Sequence, residues 1–384
     1  MVFKLTDEQI MIHSMVRDFS REVILPTAME RDKTREFPAD NLKRLADLGL
    51  MGMMVPPEYD GSGADAVAYV LALSEVAYAC AATAVVMSVH NSIVCESILH
   101  YGTETQKEKY LKPLARGEFI GAFALTEPLA GSDPSRQLTS AKKDGDHYVL
   151  NGTKRFITTG KNADVVIVTA KTDPSGRHKG ISAFIVKKGT PGFSSGPLEE
   201  KMGLCASDTT DLVFEDCRVP AENRLGEEGM GFTIAMTALD SGRIGIAAQS
   251  VGVARAALDA SVKYAKEREQ FGQPISKFQG IRWMIADMAT EIEAARQLML
   301  SAAAMKDRKE NFTTQASMAK LFASEMVNRV TAKALQIHGG YGFIKEYPVE
   351  RFYRDARVFT IYEGTSEIQR VVISNHILQD KRVL

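Results

Sequence analysis

A glutamate near the C-terminus has the setting of a catalytic base. Glu363 lies in the stretch IYEGTSEIQR, between apolar neighbours and a glycine, directly ahead of a segment that predicts a helix. Ser366 and Gln369 have the types and spacing of a capping box at the start of that helix. The carboxylate would therefore precede a positive helix end, where it could accept a proton. An exposed loop carboxylate is the alternative interpretation of an isolated Glu-Gly pair.

Two stretches in the middle of the chain could contact a phosphorylated or aromatic ligand. In ALTEPLAGSD, residues 124–133, a strand runs into a turn whose hydroxyls and backbone N–H groups suit a pyrophosphate. In RFITTG, residues 155–160, strand alternation places Phe156 and Thr158 on one face. Each has a plainer interpretation, a generic turn in the first case and a core aromatic in the second.

Two more stretches follow long predicted helices. REQFGQPI begins with Arg268, and an arginine at a helix end is usually a solvated cation favoured by the helix dipole. QIHGGYG, residues 336–342, predicts a helix that stops at a glycine C-cap. His338 is interpreted as structural, because the residue types of a metal site do not accompany it.

Composition places the chain among ordinary globular proteins. Its 384 residues are 45% hydrophobic and 25% charged, and the net charge of −1 gives no broad field for nucleic acid. The four cysteines form no CxxC pair, so neither a zinc site nor a disulfide framework is expected. Acidic residues interrupt the N-terminal MVFKLTDEQIMIH, which argues against a secretory signal. We therefore expect a cytoplasmic protein, or one of the mitochondrial matrix if the chain is a mature eukaryotic form.

The longest weakly polar run is too short to cross a bilayer. It is ACAATAVVMSV, residues 79–89, whereas a membrane-spanning helix needs roughly 20 apolar residues. This run predicts a buried helix, and no membrane span is expected.

Three blocks of different character follow one another along the chain. Residues 1–118 have helical periodicity, residues 119–225 contain β-rich runs without intervening helices, and residues 226–384 return to long helical stretches. The sequence therefore predicts an α+β fold. Its parts are an N-terminal α-helical domain, a middle antiparallel β domain and a C-terminal α-helical bundle.

Local signals mark where individual elements begin and end. Two capping boxes are predicted in the first block and two turns in the second. The boxes are Thr6 with Gln9 and Thr103 with Gln106, and the turns are Asp144-Gly145 and Asn151-Gly152.

Together, five of these stretches resemble the acyl-CoA dehydrogenase family, in the family's order and over essentially the whole chain: ALTEPLAGSD, RFITTG, REQFGQPI, QIHGGYG and IYEGTSEIQR. The resemblance implies FAD-dependent α,β-dehydrogenation of a short-chain acyl-CoA, such as butyryl-CoA, to the trans-2-enoyl-CoA in fatty-acid β-oxidation. Glu363 would abstract the α-proton, and flavin N5 would accept the β-hydride. Electrons would pass to an electron-transferring flavoprotein, and the enzyme would be a homotetramer built as a dimer of dimers.

The resemblance also assigns binding residues. It implies FAD contacts at Phe123, Leu125, Thr126, Gly131, Ser132, Phe156, Thr158, Arg268, Phe271, Gln336, Gly339, Gly340, Thr365 and Glu367. It implies substrate contacts at Ser132, Asp240, Arg243 and Gly364. Arg268 and the helix end at Gly339-Gly340 would reach the FAD of a neighbouring subunit. The chain departs from the usual family pattern at Leu129, and Pro134 stiffens the segment that follows.

Gly242 bears on which residue is the base. In isovaleryl-type and long-chain relatives the base stands at this position, and since glycine cannot serve, the resemblance assigns the role to Glu363. A small residue for close helix packing is the alternative interpretation of Gly242. Residues 82–92, ATAVVMSVHNS, contain no cation of the kind that glutaryl-type relatives use for a distal carboxylate, so a monocarboxylic acyl group is favoured.

Other functions within the superfamily stay open at this point. They are a dehydrogenase of branched or cyclic acyl-CoA, a flavin oxidase that uses oxygen, and an FAD-binding relative without turnover. The presence of Glu363 and of the complete motif set favours the dehydrogenase.

Overall fold

The computed structural model describes residues 4–379 and begins with a helical region. Both predicted capping boxes are confirmed, because in each the threonine hydroxyl accepts a backbone N–H while the glutamine side chain accepts in return. Short π-helical turns join several of the helices. The α-helices of this region are α1 (Asp7–Phe19), α2 (Ala28–Thr34), α3 (Ala39–Asp47), α4 (Ala66–Ala79), α5 (Ala81–Ser88), α6 (Glu96–Tyr101), α7 (Glu104–Gln106) and α8 (Lys112–Ala115).

The most apolar part of the chain is a core element of the protein. Helical structure continues from Ala81 to Tyr101, long and apolar enough by itself to cross a membrane, but 94% of its most apolar window is buried inside the protein. The prediction of a buried helix here is confirmed, although the helical stretch is longer than the apolar run that suggested it.

An eight-stranded sheet forms the middle of the chain, with strand order β6-β7-β3-β2-β4-β5-β8 and β1 beside β4. Neighbours are antiparallel except β1 with β4 and a single parallel pairing of β2 with β4. The antiparallel prediction therefore holds for most of the sheet, and the parallel β1 was not predicted. The strands are β1 (Gly121–Ala124), β2 (Ser140–Asp144), β3 (His147–Thr158), β4 (Val165–Lys171), β5 (Ile181–Lys187), β6 (Phe193–Leu198), β7 (Thr209–Pro220) and β8 (Arg224–Leu225).

One of the two predicted turns is wrong. Asp144 pairs with His147 across a tight hairpin, as predicted, but Asn151 and Gly152 lie inside β3 at a register shift against β7. A Cβ on Gly152 would come within 2.5 Å of the Thr139 hydroxyl oxygen. The glycine is therefore explained by the close passage of a neighbouring segment at a β-bulge, and not by a chain reversal.

Long helices complete the chain. The elements are α9 (Gly231–Glu267), the short hairpin β9 (Glu269–Gln270) and β10 (Gln273–Pro274), α10 (Gln279–Asp307), α11 (Thr313–His338), α12 (Val349–Ala356) and α13 (Ser366–Gln379). Helix α9 packs against α10 and α11, and also against α4 and α5. One hydrophobic core therefore joins the two helical regions and one face of the sheet, while the other face of the sheet has a core of its own.

Candidate active site

Glu363 lies in a strained loop between α12 and α13. Its φ is +51° and that of Gly364 is +90°, so two successive residues are left-handed. For a residue with a side chain this conformation costs about 1–3 kcal/mol, and it persists only where surrounding contacts fix it. Two buried donors provide such contacts: Lys320 Nζ lies 2.6 Å from the Gly364 carbonyl oxygen, and Gln369 Nε2 lies 2.9 Å from the same oxygen.

The predicted capping box of the last helix is wrong. Thr365 is the residue that caps α13, because its hydroxyl oxygen accepts the backbone N–H of Ile368. Gln369 instead donates its amide to the carbonyls of Glu363 and Gly364. The inward-facing carbonyls of the strained loop need buried donors, and Gln369 meets that need rather than capping the helix.

Glu363 is half-buried as a residue, but its Oε2 is buried and has no hydrogen-bond partner among the residues that the structure describes. Burial raises the pKa of Glu363 to about 7, while the positive charges of Lys320 and Arg243 oppose the rise. A base whose pKa lies near neutrality is well matched to proton abstraction at physiological pH.

Gly242 provides the space that the carboxylate occupies. A Cβ at this position would lie 2.1 Å from Glu363 Oε2 and 3.1 Å from Ile93 Cδ1. One helical turn later, a Cβ on Gly245 would lie 2.4 Å from the Ser88 hydroxyl oxygen, so α9 closes onto α5 there. Gly242 therefore sits where a base and a side chain at position 242 exclude each other.

Asp240 and Arg243 are turned toward the protein interior. They form an ion pair, and Arg243 is only 4% exposed. The second carboxylate oxygen of Asp240 accepts the hydroxyl of Thr313 at 2.6 Å. Their implied contact with the CoA portion of a substrate stays a prediction. In this structure they form an ion pair, and the positive charge of Arg243 opposes the rise in the pKa of Glu363.

A buried lysine anchors the loop that follows β1. Lys154 is fully buried, and its Nζ lies 2.8 Å from Glu127 Oε1, 2.9 Å from Gln137 Oε1 and 3.1 Å from the carbonyl oxygen of Leu125. Burial lowers the pKa of Lys154 to about 8, and Glu127 opposes the change. The loop that carries the predicted contacts at Leu125 and Thr126 is thus fixed from the sheet side.

The outer end of that loop and the adjoining strand face solvent. Gly131 and Ser132 are exposed, and Leu129 is 78% exposed. Phe156 lies at a bulge of β3 with a φ of +58° and is 59% exposed, with the Arg155 guanidinium 4.7 Å from its ring centre. The core interpretation of Phe156 is therefore wrong, and its ring is available to a ligand. Thr158, two residues on, is half-buried.

A second group of predicted residues surrounds an open pocket of about 650 Å³ beyond the ends of α9 and α11. Arg268, Phe271, Gly339 and Gly340 line it, and Phe271 is 93% exposed. A Cβ on either glycine would meet no atom within 4 Å, so the helix end presents bare backbone. Gln336 is exposed on the last turn of α11. Glu363 and Phe156 are not lining residues, so the predicted site falls into separate groups on one chain.

The remaining predicted residues have local explanations. Helix α11 ends at Gly339, as predicted, and His338 stacks on Tyr264 with ring centres 4.3 Å apart, in agreement with its structural interpretation. Glu367 is exposed on the first turn of α13.

Sequence reasoning missed two buried lysines. Lys320 shares the buried face of α11 with Ala316 and Ala323, and Lys154 follows the alternation of β3 toward the core. In each case a lysine at a position whose period predicts burial was the available signal.

Comparison with known proteins agrees with this architecture. Three family models match the chain: Acyl-CoA dehydrogenase, N-terminal domain, at residues 6–118; middle domain, at 122–217; and C-terminal domain, at 229–378. The short-chain specific acyl-CoA dehydrogenase of Clostridium acetobutylicum is 50% identical over 99% of this chain and 100% of its own length. Subunit CarC of the caffeyl-CoA reductase-Etf complex of Acetobacterium woodii is 50% identical over 97% of this chain and 99% of its own. The solved structure of butyryl-CoA dehydrogenase from Megasphaera elsdenii aligns with a TM-score of 0.97 and 48% identity over 98% and 100% of the two chains.

Replacing the buried lysine of the β domain should destabilise the protein strongly. Lys154→Met leaves Glu127 buried without its counter-charge, and breaking such a pair costs about 3–5 kcal/mol. We expect a large fall in the free energy of unfolding, with much of it regained in the Lys154→Met/Glu127→Gln double variant. Thermal and denaturant unfolding provide the measurement, with exposed Lys142→Met as control. Equal stability of Lys154→Met and Lys142→Met would show that the pair does not anchor the loop.

The exclusion between Gly242 and Glu363 can be tested by a double-mutant cycle. Gly242→Ala should lower the free energy of unfolding by about 1–3 kcal/mol, because the new methyl group overlaps the carboxylate. In a Glu363→Ala background most of that loss should disappear, since the overlapping atoms are gone. Gly280→Ala is the control, because its Cβ would meet no atom within 4 Å. An equal loss in both backgrounds would show that Gly242 serves only general helix packing.

Proposed function

Because this chain belongs to the acyl-CoA dehydrogenase family, we propose that it oxidises a short-chain acyl-CoA thioester to the trans-2-enoyl-CoA with FAD, using Glu363 as the base. One observation carries the proposal: the buried Oε2 of Glu363, which has no hydrogen-bond partner within residues 4–379, lies in a space that only a glycine at position 242 leaves free, and the pKa of this carboxylate is raised to about 7.

The residues present fit FAD. The exposed ring of Phe156 and the anchored loop after β1 would hold the isoalloxazine, by stacking and by hydroxyl and backbone groups. The bare backbone at Gly339-Gly340 and the fork of Arg268 suit a pyrophosphate. FAD, when bound, supplies the acceptor of the substrate's β-hydride.

The chain's own residues would handle the proton. The α-proton of a thioester is weakly acidic, so its removal needs a base held at close range. Glu363 meets this need because desolvation makes its carboxylate more basic than an exposed one, and the rigid loop fixes its direction. Proton uptake leaves a neutral carboxyl group, which desolvation of this side chain favours. Gly364, with no side chain, lets the substrate approach the base.

Short, monocarboxylic acyl groups are the proposed substrates. Residues 82–92 are buried and offer no cation for a second carboxylate. Helix α9 closes onto Ser88 at Gly245, which leaves little room for a longer acyl chain between α9 and α5. Similarity to proteins named short-chain specific acyl-CoA dehydrogenase and butyryl-CoA dehydrogenase supports the same assignment.

Electron-transferring flavoprotein is the proposed electron acceptor. A relative of half-identical sequence is named as a subunit of a reductase-Etf complex, which supports such a partner. We further propose a homotetramer built as a dimer of dimers, in which the Arg268 pocket of one protomer completes the FAD site of another. The strong exposure of the Phe271 ring at that pocket supports the proposal that a second protomer covers it.

The central test is flavin bleaching without air. We expect butyryl-CoA to bleach the oxidised flavin band of the purified protein, with weaker responses to isobutyryl-CoA and glutaryl-CoA. Glu363→Gln should retain its flavin but bleach at least about 10²–10⁴ times more slowly, the usual contribution of a general base. Unimpaired bleaching in that variant would remove Glu363 from the mechanism. Fast reoxidation in air would favour an oxidase, and absence of bleaching with every thioester a binding protein.

Sharing of the site between protomers predicts complementation. Arg268→Ala and Glu363→Gln should each be inactive alone, the first through weak flavin binding. In mixed oligomers, one site would combine both lesions while another would combine two intact halves, so activity should return. Co-expression of differently tagged variants, purified through both tags, provides the measurement. If Arg268 serves its own subunit, every mixed site carries one lesion and no activity returns.

A further inference from the structure

Within the part of the chain that the structure describes, Lys320 is a buried cation without an ion-pair partner at contact distance. It lies in the middle of α11 and is 0% exposed. Burying an ammonium costs several kcal/mol unless charge or hydrogen bonds compensate it. Among the described residues, no carboxylate oxygen lies within the 4.0 Å of a salt bridge to its Nζ, which instead donates to the Gly364 carbonyl at 2.6 Å. This placement suggests a role that a neutral side chain could not fill.

The hydrogen bond alone does not explain a charged donor. Gln369, which is uncharged and fully buried, already donates to the Gly364 carbonyl at 2.9 Å and to the Glu363 carbonyl at 3.2 Å. A second neutral donor would hold the loop without the expense of burying a charge. The positive charge of Lys320 therefore calls for its own explanation.

The charges around the base leave Glu363 as the natural counter-ion of Lys320. From α9, Arg243 is already paired with Asp240. From α11 itself, Glu325 pairs with Arg370 on the surface at 2.6 Å. Glu367 on α13 is exposed, and the hydroxyls of Tyr69 on α4 and Tyr362 beside the base are neutral donors to Ser88 and Gln249.

The titration of the two groups agrees with this pairing. Burial lowers the pKa of Lys320 to about 8, and Glu363 is the first charge that opposes the fall. In return, Lys320 is the first charge that restrains the rise in the pKa of Glu363.

We propose that Lys320 is a positioning residue for the base, which fixes the Glu363–Gly364 loop through the Gly364 carbonyl and supplies the positive charge that keeps the Glu363 carboxylate ionised before substrate binds. The catalytic meaning of this role rests on the function proposed for Glu363. The electrostatic coupling itself does not, and it can be measured without any substrate.

An infrared titration of the purified holoenzyme tests the coupling directly. The carboxyl band that disappears in Glu363→Gln reports protonation of Glu363. In Lys320→Met, loss of the positive charge disfavours the carboxylate, so the pKa of Glu363 should rise by at least about one unit. The acid limb of the flavin-bleaching rate should move to higher pH by the same amount, because the base is then protonated over a wider range. An unchanged pKa would overturn the proposal.

Gln369→Met is the matched control. It removes a neutral donor to the same carbonyl and introduces the same side chain as Lys320→Met. We expect slower bleaching from a looser loop, with the pKa of Glu363 unchanged. A shift as large as that of Lys320→Met would mean that loop geometry, and not charge, sets the pKa, and the proposal would fail.

A reciprocal measurement covers the case in which Lys320→Met does not fold. Coupling between two sites is mutual, so the neutral isostere Glu363→Gln should lower the pKa of Lys320. NMR of ε-¹³C-lysine reports that pKa, with the Lys320 signal assigned by its absence in Lys320→Arg. An unchanged pKa of Lys320 would again overturn the proposal. Because neither titration uses acyl-CoA, failure of every thioester to bleach the flavin would count against the proposed function alone.

Discussion

The burial of one carboxylate oxygen of Glu363 against Gly242 of α9 is the constraint on which the rest of the site depends. Glu363 Oε2 occupies the volume that a side chain at position 242 would need, and it does so without a hydrogen bond among the described residues. Water would ordinarily hold such a group ionised and weakly basic. Here packed protein atoms exclude water from Oε2, and this desolvation raises the pKa of Glu363.

Two features of Glu363 lower the stability of the folded protein. Glu363 is left-handed although it is not a glycine, and its Oε2 is buried with no ion pair to any residue that the structure describes. Both are tolerated because donors from α11 and α13 fix the loop, and because α9 is itself held in a core common to both helical regions. A similar arrangement is found in the β domain, where the buried ion pair of Lys154 and Glu127 fixes the inner end of a loop whose outer end faces solvent. In both places a buried polar network fixes a segment that carries proposed ligand contacts.

Several features set by near neighbours in the chain were predictable, whereas several set by distant neighbours were not. The capping boxes at Thr6 and Thr103 and the helix stop at Gly339 depend on a few adjacent residues, so their patterns suffice. Asn151-Gly152 has the composition of a turn, but pairing with β7 and the passage of Thr139 make it a bulge. The positive charges that oppose the rise in the pKa of Glu363 come from Lys320 and Arg243 on other helices, which no local spacing reveals. Roles toward FAD and CoA came from resemblance to a family, since sequence alone also allowed a turn, a core aromatic and a solvated arginine.

Helix α9 also holds two groups of proposed site residues at a fixed distance from each other. It runs unbroken from Gly231 to Glu267, and at the α-helical rise Gly242 and the far end of the helix are roughly 38 Å apart. The base lies beside the former and the Arg268 pocket just beyond the latter. Under the proposed sharing of the FAD site between protomers, an isolated protomer would hold the base and the Arg268 pocket too far apart to belong to one complete site. Dissociation of that oligomer on dilution would then abolish activity without any need for the chain to unfold.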